Sequence, residues 1–437
     1  MSRVGVEVLQ ASVISYQQAA ADFCIGDSEK GKETVMRERN LDFDQVIDRR
    51  NTRSVKYDFA QELGYPENVL PLWVADMDFK TSSCVEDALG ALTRQNLYGY
   101  SNVKPGDGFL EAVSGWMKRR HRWEVAPEWQ LRTPGVCFAI AAAIRALTAP
   151  GDAVLIQEPV YYPFSTLIET NGRKKVSSDL LLDPDGNYRM DFDDMERKIN
   201  AHHVRLMILC SPHNPVGRVW TKEELRRVGQ ICSAHGVTVF SDEIHFDFVW
   251  EGEHTVFQKV DPSFREFTVT ATSPSKTFNL AGLQLANIFA PNPALRERLK
   301  AEIGRTGYDE PNIFGITAAQ AAYEHGDAWY EAMMAYVKEN IRFAEGFIRE
   351  RLPGVRMRRP EGTYLLWMDF RSMGMTVSQL DDLIIHRAGL WLDSGAIFGA
   401  PGQGFQRVNA ACPRSILREA LERLEEAMHI KQTNTDD

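Results

Sequence analysis

Lys276 is the residue of this 437-residue chain whose neighbours most directly indicate chemistry. It ends the run Ser273-Pro274-Ser275-Lys276, which comes soon after the apolar, strand-like residues 267–270. A lysine amine at the end of a strand can form a Schiff base with an aldehyde cofactor, and nearby serine hydroxyls can bind the phosphate of that cofactor. On its own such a short motif is more typical of a solvated loop lysine, so the prediction depends on other motifs.

Asp242 is the second candidate, because it closes the strand-like residues 237–241. Open α/β sheets bind their ligands at the carboxyl ends of the strands, so we expect Asp242 to face the same site as Lys276. A carboxylate about 4 Å from a pyridine nitrogen would keep that ring protonated, and a protonated ring is the electron sink that pyridoxal phosphate needs. Alone, an acid at the end of a strand is more often a helix cap or a surface turn.

Asn214 follows another apolar run, Leu206–Cys210, and lies between two prolines. Its amide can donate to the phenolic oxygen of a pyridoxal ring, although an Asn-Pro pair is also a common turn. An alanine-rich helix is predicted to begin at Gly135, Val136 and Cys137. The free backbone N–H groups of a helix start can receive phosphate, but a Pro-Gly helix start by itself indicates nothing more than a helix.

Together, and in this order, these features resemble the fold-type I pyridoxal-phosphate enzymes of the aminotransferase-like superfamily. Three segments narrow the resemblance to the MalY/PatB group of cystathionine β-lyase-like carbon–sulfur lyases: Leu72-Trp73-Val74-Ala75-Asp76-Met77-Asp78-Phe79, Asp242-Glu243-Ile244-His245, and Lys276-Thr277-Phe278-Asn279-Leu280-Ala281-Gly282-Leu283-Gln284. The resemblance implies a large cofactor-binding domain over residues 80–326, with a mostly parallel seven-stranded sheet. It implies a smaller α+β domain from residues 41–79 and 327–437, preceded by an N-terminal extension, residues 1–40, to which we assign no function.

The resemblance also implies roles for single residues. Tyr161 matches the aromatic residue that stacks on the cofactor ring, and stacking suits a flat, electron-poor ring. Tyr100 matches a tyrosine that reaches the phosphate of the neighbouring subunit, which implies a homodimer with shared active sites. Arg407 matches the arginine that binds the substrate α-carboxylate bidentately, with Arg414 as its competitor, and Ala75 matches the backbone on that side.

Two positions separate the chain from ordinary aminotransferases. Gln284 stands where those enzymes usually have a phosphate-binding arginine, so the serines and the helix end must bind more of the phosphate. His245 stands where they usually have a tyrosine, and we count it among the cofactor-binding residues, although a packed histidine is the alternative. Tyr162, next to Tyr161, leaves the register of the stacking residue open. Both departures resemble the carbon–sulfur lyases, and neither establishes the reaction.

We therefore expect β-elimination from an S-substituted L-cysteine, cystathionine or another S-conjugate, giving a thiol, pyruvate and ammonia. Lys276 would remove the α-proton, and either protonated Lys276 or Tyr100 would assist the departing sulfur. Two alternatives stay open. One is an aminotransferase or decarboxylation-coupled deaminase that acts on an S-conjugated amino acid in a specialised biosynthetic pathway. The other is a regulatory binding protein on the same fold.

The elements that must position these residues alternate along the chain. Apolar strand candidates at 153–157, 206–210, 237–241, 267–270 and 285–290 alternate with helical stretches such as 221–234, a pattern typical of a mostly parallel sheet covered on both faces. After Asp327, a long helix is predicted to run to about Arg351. Further strand and helix patterns follow it.

Composition supports a globular protein, with 44% hydrophobic residues. The 50 basic and 60 acidic side chains give a net charge of -10, which argues against a general nucleic-acid binder. The six cysteines form no C-x-x-C pair and no metal spacing with histidine, so we expect reduced thiols and no metal. Because an apolar run of about 18 residues is missing from the sequence, we expect a soluble, cytoplasmic protein without a membrane segment.

Overall fold

The computed structural model describes residues 38–433, and residues from Glu38 onward belong to one compact unit. Most of the predicted N-terminal extension lies outside the described residues. Seven strands form the largest sheet, in the spatial order Gln130–Thr133, Ala286–Phe289, Thr268–Thr272, Thr238–Asp242, Leu206–Cys210, Ala153–Ile156 and Lys174–Ser177. Ala286–Phe289 runs antiparallel to both of its neighbours, and the other paired strands of this sheet run parallel to each other. The prediction of a mostly parallel seven-stranded sheet is confirmed.

Both faces of this sheet are buried, and the strand Leu206–Cys210 shows how the sequence achieves this. Its side chains alternate between two hydrophobic clusters, with Met207 in one and Ile208 in the other. Helices cover the two faces, and a strand that is apolar on both faces can only be stable between them. The helices of this region and those that flank it are Ser83–Gln95, Phe109–His121, Val136–Leu147, Pro163–Thr170, Phe192–His202, Lys222–Ala234, Phe257–Val260, Pro274–Thr277, Pro293–Arg305 and Ile313–His325.

The predicted strands occur within one or two residues of their expected ends. The strand predicted at 237–241 is shifted by one residue, so that Asp242 is the last residue within it rather than the first after it. The stretch predicted at 285–290 is a strand, but it is the antiparallel one. Thr221 and Glu224 form a capping box that fixes the start of Lys222–Ala234, close to its predicted limit.

A second, antiparallel sheet contains the strands Arg356–Met357, Leu365–Asp369, Phe405–Asn409 and Asp393–Ser394, in that spatial order. The helices packed around it are Asp327–Arg351, Val377–Asp382 and Arg414–Thr433. The first of these has the limits predicted from the sequence. Short helical turns complete the described chain at Pro127–Trp129, Pro262–Glu266, Ala281–Leu283, Arg371–Met373, Leu383–Arg387, Gly395–Phe398 and Ala400–Gly402.

Segment 70–79 lies against this second sheet. Leu70–Pro71 pairs in parallel with Leu390–Trp391, and the backbone N–H of Asn409 donates to the carbonyl oxygen of Leu72 at 2.8 Å. A further two-stranded ribbon pairs Leu181–Leu182 with Tyr188–Arg189. The division into two domains at residues 80 and 326 stays a prediction. Within the described residues, each helix is too short or too polar to cross a bilayer.

Candidate active site

Three neighbouring parallel strands present polar residues at one edge of the large sheet. Asp242 is the last residue of its strand and lies in register with Cys210, and Asn214 follows four residues after that cysteine. Lys276 lies in the one-turn helix Pro274–Thr277, which comes directly after the next strand. The carboxyl ends of parallel strands meet at one edge, so the fold brings the amine, the acid and the amide together.

A cavity of about 260 Å³ at this edge is lined by all the site residues predicted from the sequence except Tyr100. They are Ala75, Gly135, Val136, Cys137, Tyr161, Asn214, Asp242, His245, Ser273, Ser275, Lys276 and Arg407. A larger groove of about 860 Å³ lies elsewhere, between residues 182–188 and 356–361, and none of the predicted residues lines it. The smaller cavity is therefore the candidate active site.

The Lys276 amine is held inside this cavity. Its Nζ donates to the backbone carbonyl oxygen of Ala75 at 2.7 Å. Burial lowers the pKa of Lys276, and nearby Arg407 lowers it further, while the charge of Asp76 opposes the shift. A lowered pKa increases the fraction of neutral amine, which is the nucleophilic and basic form.

Asp242 is buried and has no ion-pair partner among the described residues. Its Oδ1 accepts a hydrogen bond from the backbone N–H of Ile244 at 3.1 Å. Burial raises the pKa of Asp242 to about 7, and the neighbouring charge of Glu243 adds to the shift, while the hydrogen bond from Ile244 and the positive charge of nearby Lys276 oppose it. A buried acid without a close ion pair can bind a cationic group of a ligand.

His245 is also buried, and its Nδ1 has no hydrogen-bond partner among the described residues. Burial lowers the pKa of His245 well below its usual range, so the imidazole is neutral at pH 7. It packs edge-on against Tyr364, at 5.8 Å between ring centroids. His245 is therefore a packed histidine, as the alternative prediction had it. Its Nδ1 is still available to contact a cofactor.

The cavity also offers donors for an anion. Helix Val136–Leu147 begins at its wall after Gly135, where a Cβ would meet only open space. Ser275 lines the cavity as well, and its backbone N–H donates to the hydroxyl of Ser273 at 3.0 Å. The Ser273 hydroxyl itself lies 2.7 Å from the carbonyl oxygen of Leu285, so it already helps to hold the loop. Unpaired N–H groups at a helix start suit phosphate.

Asn214 and Arg407 contact each other directly. Arg407 Nη1 donates to Asn214 Oδ1 at 2.9 Å, which leaves the Asn214 amide nitrogen to donate elsewhere. Arg407 is buried, on strand Phe405–Asn409, and its guanidinium also lies 4.9 Å above the ring of Phe398. Arg414, the competing arginine, donates instead to Asn340 Oδ1 at 2.6 Å and does not line the cavity.

Among the cavity residues that the sequence reasoning missed, two contact Arg407. Asp393 forms a buried ion pair with Arg407, and the carbonyl oxygen of Trp73 accepts from the same guanidinium at 2.9 Å. Neither had a detectable signal, because Asp393 lies in a short edge strand and Trp73 acts through its backbone. Cys210, which also lines the cavity, could have been found from its place at a strand end.

Tyr161 and Tyr162 both line the cavity, with their ring centroids 5.6 Å apart. Tyr161 packs edge-on against Phe164, and its hydroxyl lies 4.0 Å from the thiol of Cys137. The register of the stacking residue therefore stays open between these neighbours.

Tyr100 is 96% exposed and lies outside the cavity of its own chain. Neighbouring Tyr98 is also exposed and stacks on Phe314, with ring centroids 5.9 Å apart. Ser101 fixes the segment on its other side, where its hydroxyl donates to the Pro311 carbonyl oxygen at 2.7 Å. Within its own chain, Tyr100 therefore does not belong to the candidate active site.

Known proteins resemble this chain over most of its length. The family model described as aminotransferase class I and II matches residues 67–424. Cystathionine beta-lyase PatB of Bacillus subtilis (strain 168) is 40% identical over 389 residues, which cover 89% of this chain and 100% of that protein. The crystal structure of cystalysin from Treponema denticola, which contains a pyridoxal 5'-phosphate cofactor, matches with a TM-score of 0.85 and 37% identity over 89% of this chain and 98% of that one. The crystal structure of the PLP-bound C-S lyase from Staphylococcus hominis matches with a TM-score of 0.83 and 32% identity. This match covers 89% of this chain and 98% of that one.

Proposed function

We propose that this chain, which belongs to the aminotransferase class I and II family, is a pyridoxal-phosphate-dependent carbon–sulfur β-lyase. Its substrates are an S-substituted L-cysteine and water: elimination releases the thiol, and water hydrolyses the remaining aminoacrylate to pyruvate and ammonia. The observation that carries the proposal is the meeting, in one cavity, of a lysine amine, a buried acid and a buried arginine.

The cavity offers groups for both the phosphate and the ring of pyridoxal phosphate. The helix start at Gly135 and the loop around Ser275 suit the phosphate, and the buried acid Asp242 suits the ring nitrogen. Asn214 has an amide nitrogen available for the phenolic oxygen, and Tyr161 can cover the ring. When bound, this cofactor withdraws electrons from the α-carbon of an amino acid and so makes its α-proton acidic.

Lys276 is the group that would hold the cofactor and then accept the α-proton. The amine lies inside the cavity, and its lowered pKa favours the neutral form that a general base requires. Asp242 would keep the ring nitrogen protonated, which is the condition for electron withdrawal. Protonated Lys276 or Tyr100 of the partner subunit would then give a proton to the departing thiolate.

Arg407 would orient the substrate. A guanidinium binds a carboxylate through two parallel N–H groups, and this fixes the direction of the α-carbon relative to Lys276. Ala75 lies on the same side of the cavity and supplies a backbone carbonyl oxygen.

A homodimer with shared active sites is part of the proposal. Its support is Tyr100, a large side chain that is almost fully exposed although the matching position contacts cofactor phosphate in this group of enzymes. We also propose a cytoplasmic location, which the free thiols of Cys84, Cys137, Cys210 and Cys232 support.

A product assay tests the reaction. Purified protein loaded with cofactor is incubated with S-methyl-L-cysteine and with cystathionine, and thiol, pyruvate, ammonia, carbon dioxide and amino-group transfer to an added keto acid are quantified. We expect thiol and pyruvate in equal amounts from at least one substrate. Amino-group transfer or carbon dioxide release without free thiol would instead identify an aminotransferase or a decarboxylating enzyme.

A further inference from the structure

In the guanidinium of Arg407, N–H groups that a carboxylate would need already donate to other acceptors within the chain. One N–H of Nη1 donates to Asn214 Oδ1 at 2.9 Å. Both N–H groups of Nη2 have acceptors, the carbonyl oxygen of Trp73 at 2.9 Å and the carboxylate of Asp393. The buried Nε has no partner among the described residues.

A carboxylate binds a guanidinium bidentately along an edge where two N–H groups point the same way. Arginine offers two such edges, Nε with Nη2 and Nη1 with Nη2, and each requires a hydrogen of Nη2. A substrate carboxylate therefore has to displace either Trp73 or Asp393 before Arg407 can hold it with two hydrogen bonds.

The two acceptors differ in how easily they can move. The Trp73 carbonyl belongs to a backbone segment that is held on both sides, by the bond from Leu72 N–H to the Trp391 carbonyl oxygen at 2.9 Å and by the bond from Asn409 Nδ2 to the Val74 carbonyl oxygen at 2.9 Å. Asp393 reaches Nη2 with a side chain that lines the cavity and can rotate about its own bonds. Asp393 is therefore the group that gives way.

We infer that Asp393 is a specificity-determining residue, which competes with ligand carboxylates for Nη2 of Arg407. This inference rests on the proposed function, because that function makes Arg407 the carboxylate receptor. When a ligand brings only a carboxylate, its contact with Arg407 forms at the expense of the contact between Arg407 and Asp393, so the exchange gains little free energy. An amino-acid substrate also engages the cofactor end of the cavity, so it can still displace Asp393. Asp393 thus favours the binding of amino acids over that of simple carboxylates, because a simple carboxylate does not compensate for breaking the Arg407–Asp393 contact.

Equilibrium binding of an unreactive probe tests this inference. The probe is 3-(methylsulfanyl)propanoate, which is S-methylcysteine without its amine, and its neutral methyl ester is the comparison ligand. Calorimetry on the holoenzyme should show about tenfold tighter binding of the carboxylate to Asp393→Asn and to Asp393→Ser than to the wild type, as expected when one charge-assisted contact need no longer be broken. Binding of the ester should be unchanged.

Asp369→Asn is the matched control, because Asp369 also pairs with an arginine, Arg371, but lies outside the cavity. It should bind the probe as the wild type does. Equal or weaker binding of the carboxylate by a folded Asp393 variant would overturn the inference, as would a kcat that falls at constant KM, since that result would place Asp393 at the reacting atoms.

A wild-type structure with the probe gives a test that needs no variant. We expect the probe carboxylate on Arg407 and the Asp393 side chain turned away from Nη2. A bidentate carboxylate on Arg407 with the Asp393 contact intact would overturn the inference. Thiol release from S-methyl-L-cysteine is measured in parallel, so that a failure of the lyase reaction is seen separately from a failure of the Asp393 exchange.

Discussion

Lys276 Nζ donates to the carbonyl oxygen of Ala75 at 2.7 Å, across 201 positions of the chain. The same carbonyl oxygen accepts from the hydroxyl of Tyr364 at 3.1 Å. The segment that carries Ala75 is fixed by ion pairs, Arg49 with Asp76 and Lys56 with Asp78, both at 2.7 Å. The amine is therefore held at a defined point in the cavity by backbone that is itself held by charged side chains.

The first prediction concerns this amine. Lys276→Ala should reduce thiol release by at least about 10³-fold, because both the attachment point of the cofactor and the proposed general base are removed. Borohydride reduction of the wild-type holoenzyme, followed by peptide mass analysis, should find the cofactor on Lys276. Lys259→Ala is the control, since Lys259 donates to the His121 carbonyl oxygen outside the cavity and should keep its activity. Cofactor fixed on any other lysine would contradict the assignment.

The second prediction uses the raised pKa of Asp242. The folded protein holds this proton more tightly than the unfolded chain, whose carboxyl has an ordinary pKa near 3.8. Asp242 therefore does not lower the free energy of unfolding below about pH 4, where it is protonated in both states. The loss of stability grows as the pH rises and is complete above about pH 7, where the buried acid is ionised. Asp242→Asn should make the cofactor-free protein more stable at pH 8, by about 4 kcal/mol at most, and much less so at pH 5.

Urea unfolding of the cofactor-free wild type and variant at the two pH values checks this. A gain in the free energy of unfolding that is equal at pH 5 and pH 8 would show that Asp242 does not titrate in this range. In the holoenzyme the same variant should lose turnover by at least about 10²-fold, because an amide cannot keep the ring nitrogen protonated.

The third prediction separates the two candidate arginines. Arg407→Lys should raise the KM for S-methyl-L-cysteine by about 10- to 100-fold, since an ammonium group cannot offer two parallel N–H groups to a carboxylate. Arg414→Lys should leave KM within about twofold, because Arg414 contacts Asn340 rather than the cavity. Steady-state kinetics on both variants checks the pair, and a larger effect at Arg414 would reverse the assignment.

The fourth prediction concerns assembly. If Tyr100 acts in the site of the partner subunit, mixing inactive Lys276→Ala chains with impaired Tyr100→Phe chains should restore activity, because a mixed dimer contains one site with both residues intact. Tyr98→Phe mixed with Lys276→Ala serves as the control for exchange of subunits. Differently tagged chains allow the mixed dimer to be isolated before the assay. An isolated mixed dimer without recovered activity would remove Tyr100 from the site.

The positions of Asp242 and Lys276 followed from local patterns in the sequence, whereas Tyr161, Tyr100 and Arg407 were predicted from the family resemblance. Asp242 and Lys276 come after short apolar runs, and such runs become parallel strands because helices on both faces exclude water from them. Parallel strands end at the same edge of a sheet. Residues predicted at strand ends are therefore expected to lie close together, even when their tertiary contacts are unknown. The same local reasoning located Gly135 at a helix start and the limits of the helix Asp327–Arg351.

Other features were decided only by tertiary structure. Asp393 meets Arg407 because two antiparallel strands place them opposite each other in register, and the sequence around Asp393 contains no motif that reveals this partner. Tyr100 is exposed although Tyr98 stacks on Phe314 and Ser101 donates to the Pro311 carbonyl oxygen, and no local pattern of apolar residues specifies these distant contacts. Local propensities and periodicities thus determined the strands and the residues at their ends. The pKa of Asp242 and the number of unoccupied N–H groups on Arg407 depend instead on how distant segments pack together, since burial and ion pairing arise only from that packing.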